Sequence, residues 1–288
     1  TEFAYFTPGP TANPAAPGCT PGGSSSGSAA AVADGMVPLA FGTQTAASVI
    51  RPAAFCGILG YKGSYGDMPL EGVMGFAPSL DSLGLMAREA ADLALARAAL
   101  AGGPAAPLPD FDETPPRVAL MRGPHWADGS MEMRETVRLA MERLAAAGAG
   151  VGELATPPLF AELTEAHRTV MAFEAARTRA HEATRHREAL SPAFAELIAA
   201  GRATVRADYT AALATLARAA RLLAPMFTDC DVILAPAAPG PPPEGLTATG
   251  DPLFSRGWTL LQVPAVAVPA GPGPQAVQLL APRGEDDR

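Results

Sequence analysis

Two short loops of small residues hold the serines that could act as nucleophiles. The first loop is PGGSSSGS at 21–28 and the second is GTQTAAS at 42–48, with Ser24 and Ser48 standing 24 positions apart. A serine hydroxyl attacks a carbonyl carbon only when a base removes its proton, and water then releases the acyl-enzyme. Taken alone, a Gly-Ser run is more typical of a flexible linker or a turn.

A Gly-rich loop before a helix could instead bind a phosphate group. A helix is predicted from Ala29 to about Met36, because alanine is the best helix former. However, the nucleotide-binding pattern GxxxxGK[ST] is absent, and the only lysine of the chain is Lys62. The sequence therefore does not favour a phosphate site.

Residues 21–57 taken together resemble the signature of the amidase family. That signature is a GGSSxG loop, a helix of small residues, a turn of the form GT-x-T-small-small-Ser, and then Arg-Pro-Ala, often with FCG. This chain has GGSSSG at 22–27, GTQTAAS at 42–48 and RPAAFCG at 51–57. Shorter similar segments follow: GYK at 60–62, SLDSLG at 79–84, AD at 91–92, DVILAP at 231–236 and WTLLQVPAVAVP at 258–269. The resemblance thus covers most of the chain.

The resemblance implies a role for each loop. Ser48 matches the nucleophile, and Ser24 matches a second serine that passes the proton to a neutral lysine. The family holds that second serine after a cis peptide bond, here Gly23–Ser24. The backbone N–H groups implied as the oxyanion hole are those of Thr45, Ala46, Ala47 and Ser48. Aimed donors of this kind contribute about 3 kcal/mol each in the transition state. No metal or cofactor is implied.

Several positions depart from the family pattern. Ala46 and Ala47 replace two glycines, which would cost about 1 kcal/mol or more if either position required a positive φ. Gln44 replaces the more usual aspartate, and Arg51 lies three residues after the nucleophile rather than two. These differences affect substrate preference and efficiency rather than the class of reaction.

No residue of the chain matches the catalytic lysine, which in the family lies well before the GGSSxG loop. Lys62 follows the nucleophile and matches a structural lysine instead. The chain starts at Thr1 without a methionine and ends with PRGEDDR, which reads like the entry to a helix. We therefore expect residues 1–288 to be a single amidase domain truncated at both ends, with little or no activity as it stands.

The four histidines are better explained without catalysis. Outside the GGSSSG loop, which the amidase resemblance already accounts for, no GxSxG motif is present that would place a serine in a triad with histidine. His167, His181 and His186 stand in helical sequence rich in Arg and Glu, where solvated side chains are expected. His125 is expected in a turn.

Other candidate groups are also assigned structural roles. Cys56 has no histidine near it in sequence, so a small core residue is the better interpretation. Asp81 and Asp92 are expected to cap or pair at helix starts rather than to catalyse. A sparse, odd set of three cysteines fits a reducing compartment. We therefore expect a cytoplasmic protein.

The apolar pattern predicts an α/β fold, and the resemblance implies a central mixed sheet flanked by helices. Strands are predicted over 37–45, 117–122, 151–154 and 231–239, and at the end of 250–271, and those over 37–45 and 231–239 are expected to be buried. Helices are predicted over 87–100, 131–148 and most of 160–224, with breaks near Pro192 and Gly201. The helix over 131–148 should bury Met133, Val137, Met141 and Leu144 on one face. Residues 63–86 are expected to be irregular.

Composition narrows the range of partners. The net charge is −8 at pH 7 and no basic stripe is visible, so nucleic-acid binding is not expected. No apolar run reaches the ~18–20 residues needed to cross a bilayer, so no membrane partner is expected. The expected partner is a small-molecule amide substrate, and a homodimer is possible.

Three functions remain open at this point. The favoured one is hydrolysis of a small or medium amide to a carboxylate and an amine or ammonia. The second is the glutaminase subunit of a tRNA-dependent amidotransferase, which would pass ammonia to partner subunits. The third is a catalytically dead remnant that acts by binding. The family's acyl pocket varies along loops such as 123–131 and 160–195, so the sequence does not name the substrate.

Overall fold

The computed structural model describes residues 11–103 and 115–286, and its centre is a β-sheet. Eight strands are present in these residues: β1 Leu39–Gln44, β2 Leu59–Lys62, β3 Ser82–Ala87, β4 Arg117–Leu120, β5 Gly150–Glu153, β6 Val232–Pro236, β7 Ala265–Pro269 and β8 Ala276–Leu280. Their order across the sheet is β1-β3-β2-β7-β8-β6-β4-β5. Strand β4 is parallel to β5 and β6, and the other pairs are antiparallel. The sheet is therefore mixed.

Helices cover both faces of this sheet. They are α1 Ser26–Ala33, α2 Ile50–Cys56, α3 Ala90–Leu100, α4 Met131–Ala146, α5 Leu163–Thr178, α6 Ala180–Arg185, α7 Pro192–Ala203, α8 Arg206–Leu223 and α9 Leu253–Leu260. Successive side chains of a strand point to opposite faces. Ile233 and Leu234 of β6 are accordingly both fully buried, but in separate clusters, the first with α2, α5 and α9 and the second with α4. The predicted α/β class with a mixed, helix-flanked sheet is confirmed.

Three strands, β2, β3 and β8, were not predicted from the sequence. Strand β3 lies in the segment expected to be irregular, and every one of its residues is buried between β1 and β2. Alternation of apolar and polar residues is therefore missing from its sequence. Gly84 sits in the middle, where an added Cβ would lie 2.6 Å from a methyl of Val49 and 2.8 Å from the carbonyl oxygen of Tyr61. Strand β8 is likewise buried over most of its length.

The breaks predicted near Pro192 and Gly201 are confirmed, since α7 begins at Pro192 and ends at Ala203, before α8 begins at Arg206. Gly201 itself lies inside α7, where an added Cβ would clash with the Ala172 carbonyl oxygen, so this glycine permits close packing on α5.

One other expectation about the elements was wrong. The strand predicted as buried over 37–45 is β1 at the edge of the sheet, and its Phe41 is 53% exposed. The predicted amphipathic face of α4 is confirmed, with Met133 and Val137 buried.

None of the helices within residues 11–103 and 115–286 is long and apolar enough to cross a membrane.

Candidate active site

The two serine loops lie side by side. The first leads into α1 at Ser26, and the second connects β1 to α2. The amide N–H of Ser25 donates to the carbonyl oxygen of Ser48 across a distance of 3.4 Å. The Gly23–Ser24 peptide bond is cis, as the resemblance implies. The fold thus joins the two loops directly through their backbones.

Glycine is required where the first loop touches α2. Gly22 has a φ of +79°, and a Cβ there would lie 2.8 Å from the Cα of Pro52 at the start of α2. The side chains of Ser24 and Ser48 are partly exposed, and neither hydroxyl has a hydrogen-bond partner among the described residues. Neither hydroxyl is therefore committed to a structural hydrogen bond within the described residues.

The loop over 45–48 has every carbonyl oxygen held by the protein. The donors are the His167 ring to Thr45 at 2.8 Å, the Thr259 hydroxyl to Ala46 at 2.7 Å, the Arg51 amide to Ala47 at 2.9 Å, and the Ser25 amide to Ser48 at 3.4 Å. By contrast, none of the four amide groups of this loop donates to an acceptor within the described residues. Within the described residues, the loop therefore has four satisfied carbonyl oxygens and four N–H groups without a protein acceptor.

Neither alanine of this loop carries the cost that a positive φ would impose. The only residue other than glycine with a positive φ in the described part of the chain is Gln262. Ala46 and Ala47 are accordingly compatible with the observed backbone.

Gln44 holds the start of α2. Its side-chain oxygen accepts from the amides of Val49 at 2.9 Å and Ile50 at 3.0 Å, and its amide nitrogen donates to the Thr259 hydroxyl at 3.0 Å. The first N–H groups of a helix have no partner inside it. Gln44 supplies this partner and at the same time orients the hydroxyl that binds Ala46.

Asp81 fixes the side chain of Thr45. One carboxylate oxygen accepts from the Thr45 hydroxyl at 2.6 Å, and the other accepts from the amides of Phe76 and Ala77. Burial raises the pKa of this carboxyl, against the effect of those hydrogen bonds. The expectation that Asp81 stands at a helix start is wrong, since it precedes β3. Asp92 does lie in the first turn of α3, as expected.

The family model for amidases matches residues 1–287. The chain belongs to the amidase family. In Thermus thermophilus, the A subunit of the glutamyl-tRNA(Gln) amidotransferase is 33% identical over 329 residues, which include 100% of this chain and 69% of that protein. The corresponding protein of Treponema denticola is 50% identical over 102 residues, 35% of this chain and 21% of its own length.

Solved amidase-family structures share the fold. A crystal structure of an amidase aligns with a TM-score of 0.86 and 29% identity, over 96% of this chain and 66% of that one. The A subunit of the Thermotoga maritima amidotransferase gives a TM-score of 0.78 and 26% identity, over 96% and 66% of the two chains. The chain thus spans about two thirds of the length of these relatives.

His167 is a clear departure from the sequence expectation for this amidase-family chain. It was expected to be solvated, but its side chain is fully buried, because α5 packs this turn against the loop over 45–48. Its other ring nitrogen lies 3.1 Å from a terminal nitrogen of Arg256. Sequence reasoning missed both residues, since no local pattern marks them.

The remaining histidines and Cys56 follow expectation. His181 and His186 are exposed. His125 begins a 3-10 turn and bonds Asp128 and Thr164. Cys56 is buried, and burial raises the pKa of its thiol to about 12.

The two buried basic side chains nearest in sequence to Ser48 make structural hydrogen bonds. Arg51 donates to the carbonyl oxygens of Gly23 and Gly250, both at 2.7 Å, and so ties the cis-peptide loop to α2. Burial and the charge of Arg256 lower the pKa of Arg51 to about 10. Lys62 is fully buried in β2 and donates to the Gly63 carbonyl at 2.6 Å, and burial lowers its pKa to about 7.

A pocket opens next to α9, the helix whose Thr259 binds the second serine loop. It is small and lies beyond the ends of β4 and β6, against α5 and α9. Its apolar walls include Phe160, Phe254 and Trp258, and its polar groups include His125 and Thr164. Several of these residues fall in the stretches where the resemblance places variable acyl-pocket loops. Within the described residues, no three metal-ligating side chains come together.

Proposed function

We propose that this chain is the hydrolase core of an amidase that cleaves a carbon–nitrogen amide bond through an acyl-enzyme on Ser48. Ser24 relays the proton of the nucleophile to a lysine, and then returns it to the leaving amine. Water completes the reaction by hydrolysing the acyl-enzyme.

One observation carries this proposal: the loop over 45–48 has all four carbonyls anchored and all four amides unpaired in the described structure. The carbonyl of one residue and the N–H of the next belong to one planar peptide unit and point in opposite directions. Anchoring the carbonyls of Thr45, Ala46 and Ala47 therefore fixes the directions of the amides of Ala46, Ala47 and Ser48. A preorganised set of donors is what a tetrahedral oxyanion requires.

The lysine that accepts the proton from Ser24 is not among residues 1–288. The family uses a lysine that precedes the GGSSxG loop, and Lys62 is the only lysine here. The charged groups that shift the pKa of Lys62 are Asp286, Arg283 and Asp67, and none of them belongs to either serine loop. We accordingly propose that the catalytic lysine comes from chain beyond residues 1–288. Residues 1–288 alone should then be inactive.

The test uses protein isolated from its source organism, together with a version in which Ser48 is changed to alanine. Ser48→Ala should abolish labelling by a fluorophosphonate and hydrolysis of a panel containing glutamine, aliphatic amides and N-acyl amides. Ser28→Ala is the matched control, because the Ser28 hydroxyl donates to the Phe41 carbonyl. Persistent labelling of Ser48→Ala would refute the nucleophile. A wild-type protein that contains the upstream lysine and is still unlabelled would indicate the binding remnant.

The second candidate is the glutaminase subunit of a tRNA-dependent amidotransferase. The observation that favours it is the 33% identity to such a subunit over the whole chain. Strict dependence on glutamine and co-purification with partner subunits would establish it, whereas activity on other amides by the protein alone would exclude it. A cytoplasmic location and independence from metals stay predictions in either case.

A further inference from the structure

A buried histidine and an arginine stand behind the loop that presents the unpaired amides. His167 on α5 is fully buried, with Nε2 2.8 Å from the carbonyl oxygen of Thr45. Its Nδ1 lies 3.1 Å from Nη1 of Arg256 on α9. These contacts connect two helices to a loop more than 100 positions away in sequence.

The two contacts fix the position of the ring proton. A guanidinium can only donate, so Nδ1 of His167 must accept from Arg256. A carbonyl oxygen can only accept, so Nε2 must carry the hydrogen and donate to Thr45. Burial and the nearby charge of Arg256 lower the pKa of His167 to about 3, which keeps the ring neutral at neutral pH. The ring is thus held in one tautomer and one orientation.

The peptide unit that His167 holds is the one that ends in the Ala46 amide. The Thr45 carbonyl and the Ala46 N–H are parts of the same plane and point in opposite directions. We infer that His167, held by Arg256, is a positioning residue that aims the Ala46 N–H at the oxyanion of the reacting amide. This inference rests on the function proposed above.

Arg256 adds a charge to this arrangement. Within the described residues it has no carboxylate at ion-pair distance, and its Nε is buried without a partner. Its electrostatic neighbours are Arg168, Asp251 and Glu165. A chain of hydrogen bonds polarises each of its members. The cation therefore strengthens the Ala46 N–H as a donor through the neutral ring and the peptide.

A positioning role should affect kcat rather than KM, because the oxyanion charge develops only in the transition state. His167→Leu removes the donor and should lower kcat about 10- to 100-fold with little change in KM. His167→Gln places an amide nitrogen near the original Nε2 and should recover much of this loss. Arg256→Met keeps His167 and should lower kcat by roughly 3- to 10-fold.

The measurement is steady-state hydrolysis of the best amide of the panel by the longer protein that includes the upstream lysine, with the concentration of active sites determined by fluorophosphonate titration. The titration separates loss of folded protein from loss of turnover. Val170→Ala is the matched control, since Val170 is fully buried on the same helix and its apolar side chain cannot hydrogen-bond to the loop. It should lower the melting temperature while leaving kcat per titrated site unchanged.

The outcomes distinguish the positioning role of His167 from the proposed role of Ser48 as nucleophile. Unchanged kcat per site in His167→Leu, or a Gln variant as poor as the Leu variant, would overturn the positioning role while Ser48→Ala remains inactive. Labelling that persists in Ser48→Ala would overturn both. If His167→Leu does not fold, the kcat of Arg256→Met becomes the test. A kcat of Arg256→Met equal to the wild-type value would then refute the inference.

Discussion

The hydroxyl of Thr259 donates a 2.7 Å hydrogen bond to the carbonyl oxygen of Ala46, although the two residues are 213 positions apart. The same hydroxyl accepts from the side-chain amide of Gln44. Helix α9 is thereby connected to the end of β1 and to the loop that follows it. Because this chain of hydrogen bonds is largely buried, its members have no water to replace a lost partner.

Thr259→Val should impair the Ala47 amide. Valine has nearly the shape of threonine but cannot donate, so the Ala46 carbonyl loses its anchor and the next N–H loses its fixed direction. We expect kcat to fall about 10-fold and the free energy of unfolding to fall by ~1–2 kcal/mol. Thr259→Ser keeps the hydroxyl and should retain most activity. Steady-state kinetics and urea unfolding check both, and equal kcat for Val and wild type would contradict the prediction.

Changes at Gln44 should separate stability from activity. Gln44→Leu leaves the amides of Val49 and Ile50 without an acceptor and should cost about 2–4 kcal/mol of unfolding free energy. Gln44→Glu keeps an acceptor for them. However, its second oxygen would draw the Thr259 hydroxyl away from Ala46. The Glu variant should thus be more stable than the Leu variant and still show reduced kcat, as measured by urea unfolding and steady-state kinetics. A fully active Glu variant would argue against the role of Thr259.

Gly201→Ala should separate α7 from α5. The added methyl group would fall on the Ala172 carbonyl, which is backbone and cannot move aside cheaply. We expect a loss of about 2 kcal/mol or more in unfolding free energy. Gly27→Ala is the control, because Gly27 lies in α1 with nothing within 4 Å of the added Cβ. It should be neutral or stabilising by up to ~1 kcal/mol. Similar melting temperatures for the two variants would refute the packing argument.

Lys62 should make the stability of the protein depend on pH. Burial lowers its pKa from 10.5 to about 7 in the folded state. Between those pH values the unfolded chain binds a proton that the folded chain does not, so the free energy of unfolding should rise with pH. Lys62→Met should lack this part of the rise, as measured by urea unfolding at intervals from about pH 6 to about pH 10. Parallel pH profiles for the two proteins would show that Lys62 is not buried as a neutral amine.

The local sequence was sufficient to predict the class of the fold, the family and most helices. The serine loops are contiguous runs of small residues. Gly22, Gly23 and the residues of α2 all lie close to these loops in the sequence, so one short segment contains the whole pattern. Helix α4 could be predicted from its sequence because one apolar stripe faces the sheet and the other side faces solvent. In such cases the information lies within a single segment.

Tertiary packing decided the rest. Strand β3 is buried on both faces, with Met86 in one hydrophobic cluster and Leu83 and Leu85 in another, so its sequence carries no alternation that could reveal it. Gly201 lies inside α7 because the helix packs against the Ala172 carbonyl oxygen, which leaves no room for a Cβ.

His167 is buried because its turn of α5 lies against Thr45 and Arg256. A residue among arginines and glutamates is exposed only if nothing covers it. For His167 the cover comes from segments 89 and 122 positions away, which the sequence around the residue does not specify.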